Sequence, residues 1–216
     1  MDGNGRWAKA RLLPRIAGHR AGVEAVRRTV KAAPDLGIEV LTLYAFSSEN
    51  WKRPADEVTD LMGLLKRFVQ SEIDELDRNG VRLSCIGDWQ ALAPDLVALL
   101  ADAQTRTAGN TRLRLVMALN YGGQDELARA VRRLLAAGGT DINPDSIAAH
   151  LDTADLPLPD AILRTSGEMR LSNFLMWQSA YAEFIVTETL WPDFDAKHLA
   201  DAVATFAQRE RRFGGR

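Results

Sequence analysis

Cysteine is nearly absent: Cys85 stands alone in 216 residues, so no disulfide can form within the chain, and a reducing compartment fits that usage. Its place in an apolar run marks a packed thiol rather than a reactive one. Long apolar runs are missing too. Nothing reaches the roughly 18 residues that a membrane-spanning helix needs, and the N-terminus is polar and basic without an apolar signal region. A cytoplasmic protein is the expectation. Charge of one sign is also scarce. A formal net charge of −2 excludes the strongly basic domain or face typical of nucleic-acid binders, so no nucleic-acid partner is expected and any anion site must be local. Repeats and low-complexity linkers are lacking, which leaves no boundary at which to divide the chain.

What is present is an ordinary globular composition, 46% hydrophobic and 26% charged, and one domain over 1–216 is expected, large enough to bury about 70% of its unfolded surface. Apolar spacing predicts a helix over 21–33, with Val23, Val26 and Val30 on one face, and further helices over 57–78, 94–107, 125–137, 145–151 and 196–212. Short β-rich runs predict strands over 40–46, 81–87, 113–119, 160–164 and 183–186. The alternation gives an α/β fold with one mostly parallel central sheet flanked by helices. In such sheets ligands collect beyond the C-terminal strand ends. Polar clusters fall there three times: Ser47 to Arg53, Asn120 to Gly123, and Arg164 to Ser172.

Met1-Asp2-Gly3-Asn4-Gly5-Arg6-Trp7 places a carboxylate before two glycines, an asparagine and an arginine. Glycines let backbone N–H groups approach a ligand closely, so this is either a phosphate cradle with a metal carboxylate or a flexible start. The loop from Arg164 to Phe174 carries Arg164, Arg170, Ser166 and Ser172 around Gly167; forked guanidiniums and hydroxyls suit a diphosphate, and a surface salt-bridge loop is the plain alternative. Arg209, Arg211, Arg212, Phe213 and Gly214 form a last arginine-glycine group, where a solvated helix end is the plain alternative. Most of the 27 cationic side chains are arginine, a total that compositional bias explains, so only their placement speaks to function.

Together these stretches resemble the cis-prenyltransferase family. The match includes Met1 to Ala8, Gly18-His19, Tyr44 to Trp51, Arg53-Pro54, Asn120 to Gly123, Arg164 to Glu168, Arg170 to Phe174, Trp191 to Phe194 and Arg211 to Gly215, in order from end to end. The resemblance implies an Mg²⁺-dependent enzyme that condenses isopentenyl diphosphate repeatedly onto an allylic diphosphate, and a homodimer. Asp2 would bind the metal and assist departure of the allylic diphosphate. Gly3, Gly5 and Arg6, with Arg15 and His19, would hold that group, and Trp7 completes the motif. Arg164, Arg170 and Ser172 would hold isopentenyl diphosphate with Arg212 and Gly214 of a partner, and Glu183 would complete the metal site across the subunit interface. Asn4, Ser47 and Asn50 are candidates for orienting the proton-loss step, with Asn50 as the catalytic choice; none is a base at its ordinary pKa. Glu49, Trp51 and Arg53 sit on the loop that would cover the substrates.

A growing chain needs an apolar tunnel, for which Leu43, Ala45, Leu64, Phe68, Val69 and Leu113 are candidate lining. Ala45 is small where bulk would stop elongation, which favours a long polyprenyl diphosphate such as undecaprenyl diphosphate, used as a carrier lipid in cell-wall assembly, with peripheral membrane contact at product release. Two alternatives stay open: a non-catalytic supporting subunit, and a phosphate-binding regulatory domain without turnover. In the family a hydrophobic strand at the sheet centre runs into the Asp-Gly-Asn-Gly loop. The given chain starts at Met1, so the resemblance implies a natural start upstream. It also implies a free amino terminus whose positive charge opposes metal binding at Asp2.

Overall fold

The computed structural model describes residues 1–209. Five strands form, β1 (Val40–Ser47), β2 (Val81–Ile86), β3 (Leu113–Tyr121), β4 (Ala161–Arg164) and β5 (Glu183–Val186), every pairing parallel. They make two sheets rather than the single one expected: β1-β3-β2, and β4-β5. β3 is central, and Leu113, Leu115, Val116, Met117, Ala118 and Leu119 are all buried, as a parallel strand covered on both faces requires. β1 is only half-buried over most of its length, because its outer edge has no partner strand among the described residues.

Among the described residues seven α-helices surround the strands: α1 (Asn4–Ala10), α2 (Arg15–Ala32), α3 (Ala55–Arg78), α4 (Pro94–Arg106), α5 (Gly123–Ala136), α6 (Pro144–Ala148) and α7 (Ala196–Ala207). α6 stops at Ala148, short of residue 151, and three others differ more. α1 forms where the apolar spacing predicts no helix. α2 begins at Arg15 rather than residue 21, because Gly18 and Gly22 have no side chain to register in the apolar spacing. Their bareness has a purpose: a Cβ on Gly18 would lie 2.0 Å from the carbonyl oxygen of Asn4, so α1 and α2 touch through backbone. α7 ends at Ala207, capped by Gln208, instead of continuing to residue 212.

The core lies between α2, α3, α4 and the β1-β3-β2 sheet, and Val69 and Leu113 belong to it, 2% and 1% exposed. They pack rather than line a tunnel. Leu43, Ala45, Leu64 and Phe68 do border a cavity of about 170 Å³ between α2, α3 and β1, smaller than the roughly 300–1,000 Å³ of pockets that enclose a drug-sized ligand. A larger cavity, about 1020 Å³, separates β1 from β4 and is bordered by both outer strand edges, Val40 to Tyr44 and Ala161 to Arg164. Such unpaired edges offer rows of backbone donors and acceptors. Met1 stands in this slot.

Candidate active site

The polar groups assemble where β1, β3 and β4 end. Ser47 and Tyr121 are register partners at the ends of β1 and β3, and Arg164 ends β4. Asp2 is fixed from every side. Its N–H donates to Thr165 Oγ1 at 2.8 Å, and its carbonyl accepts from Thr165 Oγ1 at 2.9 Å and from the Trp191 N–H at 2.9 Å. The carboxylate accepts from the Gly3 N–H at 2.7 Å and from Arg164 Nη2 at 3.0 Å, with Arg6 at 3.7 Å. Burial alone would raise its pKa, but the Arg164 hydrogen bond, the Gly3 N–H and the two guanidinium charges more than offset it and hold the carboxyl below its usual range.

Gly3 turns the chain from Asp2 into α1 with φ 106°, a left-handed conformation that glycine takes without strain, and a Cβ there would meet Ser166 Oγ at 2.3 Å. The N–H groups of the first helical turn, including Asn4, Gly5 and Arg6, have no acceptor within the helix. Arg6 reaches across to the Ser166 carbonyl at 3.2 Å and Glu168 at 3.0 Å. Glu168 also pairs with Arg170, so one carboxylate lies between an arginine of each expected diphosphate site. Arg164 Nη1 donates to Ser172 Oγ at 2.8 Å and to the Arg170 carbonyl.

On the other side of α1, His19 Nδ1 lies 3.4 Å from Asn4 Nδ2, and Nε2 faces Glu57 at 3.4 Å. Arg15 and Arg53 both donate to Glu57, at 2.8 and 2.7 Å. Glu57 is a site residue that sequence reading missed. Its position four residues after Arg53 was the available signal.

The covering loop is built from hydrogen bonds. Asn50 Oδ1 accepts from the Ser47 N–H at 3.1 Å within a capping box, so two of the three proton-step candidates, Ser47 and Asn50, hold a turn. Glu49 accepts from Asn173 Nδ2 at 2.7 Å, and Trp51 donates to Asn120 Oδ1 at 2.8 Å while its ring meets Phe46 edge-on. Ser166, Ser172, Asn173 and Leu175 take φ of 74°, 49°, 63° and 43°. Non-glycine residues pay strain for that conformation, and its clustering beside one cleft is a mark of functional loops.

Not every expected residue joins. Trp7 turns away and donates to Asp193 at 2.7 Å beneath the Arg11 guanidinium. Glu183 lies opposite Ala161 at the start of β4, whereas Asp2 meets Thr165 just past its end, so one protomer does not bring the two carboxylates together. Arg212 and Gly214 lie outside the described residues. Among the described residues no group of three or more His, Cys, Asp or Glu could hold a metal. Asp2 beside Arg6 and Arg164 still fits Mg²⁺, which commonly takes one or two carboxylates, substrate phosphates and water. Two buried polar atoms here have no hydrogen-bond partner, Asn4 Oδ1 and Ser166 Oγ, and His19 Nε2 has the Glu57 carboxylate at 3.4 Å. Groups left without a partner are costly. Ser166 Oγ lies beside Gly3, and Asn4 opens the helix that follows it.

A family described as "Putative undecaprenyl diphosphate synthase" matches residues 1–214. An isoprenyl transferase of Brucella suis is 59% identical, covering 100% of this chain and 87% of the relative, and one of Agrobacterium fabrum is 56% identical, covering 99% and 89%. Among solved structures, lavandulyl diphosphate synthase from Lavandula x intermedia, in complex with dimethylallyl diphosphate, superposes with TM-score 0.95 at 34% identity, covering 99% of this chain and 95% of that one. A Campylobacter jejuni structure titled a probable undecaprenyl diphosphate synthase gives 0.82 at 34% identity, covering 90% and 92%.

Proposed function

The chain belongs to the undecaprenyl diphosphate synthase family of prenyltransferases, and from that premise we propose that it extends an allylic diphosphate with isopentenyl diphosphate to a long cis-polyprenyl diphosphate. One observation carries this reading: the turn from Gly3 into α1, with the unpartnered Ser166 Oγ beside Gly3, is flanked by Arg6, Arg15, Arg164 and Arg170. An anion with many oxygens accepts from the Ser166 hydroxyl and from these guanidiniums. Two such anions, one on each side of Asp2, answer the two arginine groups.

On the α1 side, Asn4, Arg6, Arg15 and His19 hold the allylic diphosphate. The neighbouring structure with dimethylallyl diphosphate supports an allylic ligand on this fold. On the β4 side, Arg164, Arg170 and Ser172 hold isopentenyl diphosphate. Asp2 would hold Mg²⁺, which supplies charge neutralisation for the departing diphosphate. The arginines act the same way: negative charge grows on the leaving oxygens, so fixed guanidiniums stabilise the transition state more than the ground state. The double bond of isopentenyl diphosphate attacks the allylic carbon, the carbon–oxygen bond breaks, and a proton leaves to restore a double bond. A diphosphate oxygen is the acceptor we favour, since Ser47 and Asn50 are committed to their turn.

Asn4, His19 and Arg53 line the small cavity together with Val23, Ala45 and Phe68, so an allylic tail lies there and α2 and α3 part as it lengthens. The slot between β1 and β4 is the seat of a further strand. A homodimer supplies Glu183 from the partner, and release of the lipid product is at a membrane, from a cytoplasmic enzyme whose described residues include no helix long and apolar enough to cross one. The test supplies farnesyl and isopentenyl diphosphates with Mg²⁺ and weighs the products. Elongation is expected from the chain and not from Asp2→Ala. No elongation from the native protein would sink the enzyme reading.

A further inference from the structure

We propose that Glu57 is a positioning residue for the starter diphosphate, its single carboxylate holding Arg15, Arg53 and His19 as one preassembled cationic cradle. The inference rests on the allylic site proposed above. Glu57 sits in the first turn of α3, and its side chain is only 11% exposed. Its partners come from separate parts of the chain: Arg15 opens α2 and is 42 positions away, His19 lies one turn further along α2, and Arg53 ends the covering loop. Oε2 takes Arg15, and Oε1 takes Arg53 and faces the His19 ring.

Two guanidiniums and an imidazole drawn close together repel, and the repulsion grows if the ring is protonated. A shared carboxylate removes that penalty and fixes where their donors point, so a diphosphate meets donors already ordered. An isolated surface ion pair has neither property, being two-membered and screened. The groups facing His19 are Asn4 on α1, Arg15 on α2, Arg53 on the loop and Glu57 on α3. Burial lowers the ring's pKa most, Glu57 pulls the other way, and Arg53 and Arg15 add to the lowering. Removing the Glu57 charge therefore lowers it further.

Farnesyl diphosphate binding is measured by calorimetry with Mg²⁺ and without isopentenyl diphosphate, so no turnover occurs, and steady-state constants are taken in parallel. Glu57→Gln is expected to weaken farnesyl diphosphate binding about tenfold, leaving KM for isopentenyl diphosphate within about twofold. Glu57→Asp, charged but shorter, should fall between. The limb of the pH profile on which starter kcat/KM declines as His19 loses its proton should move to lower pH in Glu57→Gln. Wild-type binding with unchanged or tighter binding in both variants overturns the proposal, tighter binding making Glu57 a competitor for the cradle. So does loss of folding in both, which would make Glu57 a stability residue. Failure of the wild type itself to bind farnesyl diphosphate is a different outcome and overturns the allylic site.

Discussion

Arg164 Nη2 lies 3.0 Å from Asp2 Oδ2 across 162 positions of sequence, so the arginine that ends β4 holds the carboxylate that precedes α1. Asp2→Asn keeps the shape of the turn and removes the charge. Elongation should fall about 10²- to 10³-fold, the scale of losing one electrostatic group at a reacting centre. Stability should respond only to acid. The folded pKa lies below the ordinary 3.8, so the contribution of Asp2 is complete above 3.8 and is lost as pH falls through the lower folded value. Melting curves of wild type and Asp2→Asn should converge as pH drops below 3.8; a constant gap would refute the linkage.

Backbone contact between α1 and α2 gives a sharper steric test. Gly18→Ala places a Cβ 2.0 Å from the Asn4 carbonyl oxygen, and backbone cannot swing aside, whereas Gly109 has nothing within 4 Å. The first substitution should cost about 1–3 kcal/mol, lowering Tm by roughly 2–4 °C per kcal/mol for a chain of this size. Gly109→Ala should leave Tm unchanged. Equal melting of both variants would mean that α1 does not rest on α2 in this way.

Much of this frame was legible beforehand. Strands with continuous apolar runs and helices with apolar faces announce themselves, and the three polar loops at strand ends located the cleft. Other features leave no such trace. α1 spans only seven residues, too few for periodicity, and the glycines that start α2 are silent in any apolar count. Ser166 and Ser172 take left-handed backbone that their side chains do not advertise. Glu57 was half-visible: the spacing from Arg53 is a helical ion-pair signal, but Arg15 and His19 reach it only through the packing of α2 on α3. The division of the sheet between β1 and β4 depends on which edges find partners, and residue types do not encode that.

A polar network buried behind the β3 exit tests how the cleft is braced. Glu126, 1% exposed, accepts from Tyr121 Oη at 2.5 Å, Gln178 Nε2 at 3.0 Å and the Asp152 N–H at 3.0 Å. Glu126→Ala would strip three donors of their acceptor, at about 1–3 kcal/mol each before relaxation. A Tm loss larger than that of Gly18→Ala is expected. Burial raises the Glu126 pKa, so the native state holds this proton more tightly than the unfolded chain. Its contribution to stability therefore declines as pH rises above the ordinary 4.5 toward the folded value, and that decline should vanish in Glu126→Ala.

The thiol of Cys85 is pushed up to about 12 by burial. A thiol that holds its proton at neutral pH and lies inside a strand reacts slowly. A disulfide-exchange reagent at pH 8 should leave native protein unlabelled for as long as it stays folded, and should label one equivalent in guanidinium chloride. Rapid labelling of native protein would contradict the packing of β2 against α4.

The separation of Glu183 from Asp2 within one protomer makes the proposed dimer testable by mixing. Each site would take Asp2 from one chain and Glu183 from its partner, and a two-fold interface repeats the exchange. Asp2→Ala and Glu183→Gln should then each be inactive alone. In a mixed dimer both lesions fall in the same site and the second site has neither. Subunits mixed in equal amounts and allowed to exchange should recover about a quarter of wild-type activity, since half the dimers are mixed and half of their sites are intact. Full activity of Glu183→Gln alone would remove it from the chemistry. No recovery on mixing, with exchange verified by mass, would place both residues' effects within a single chain.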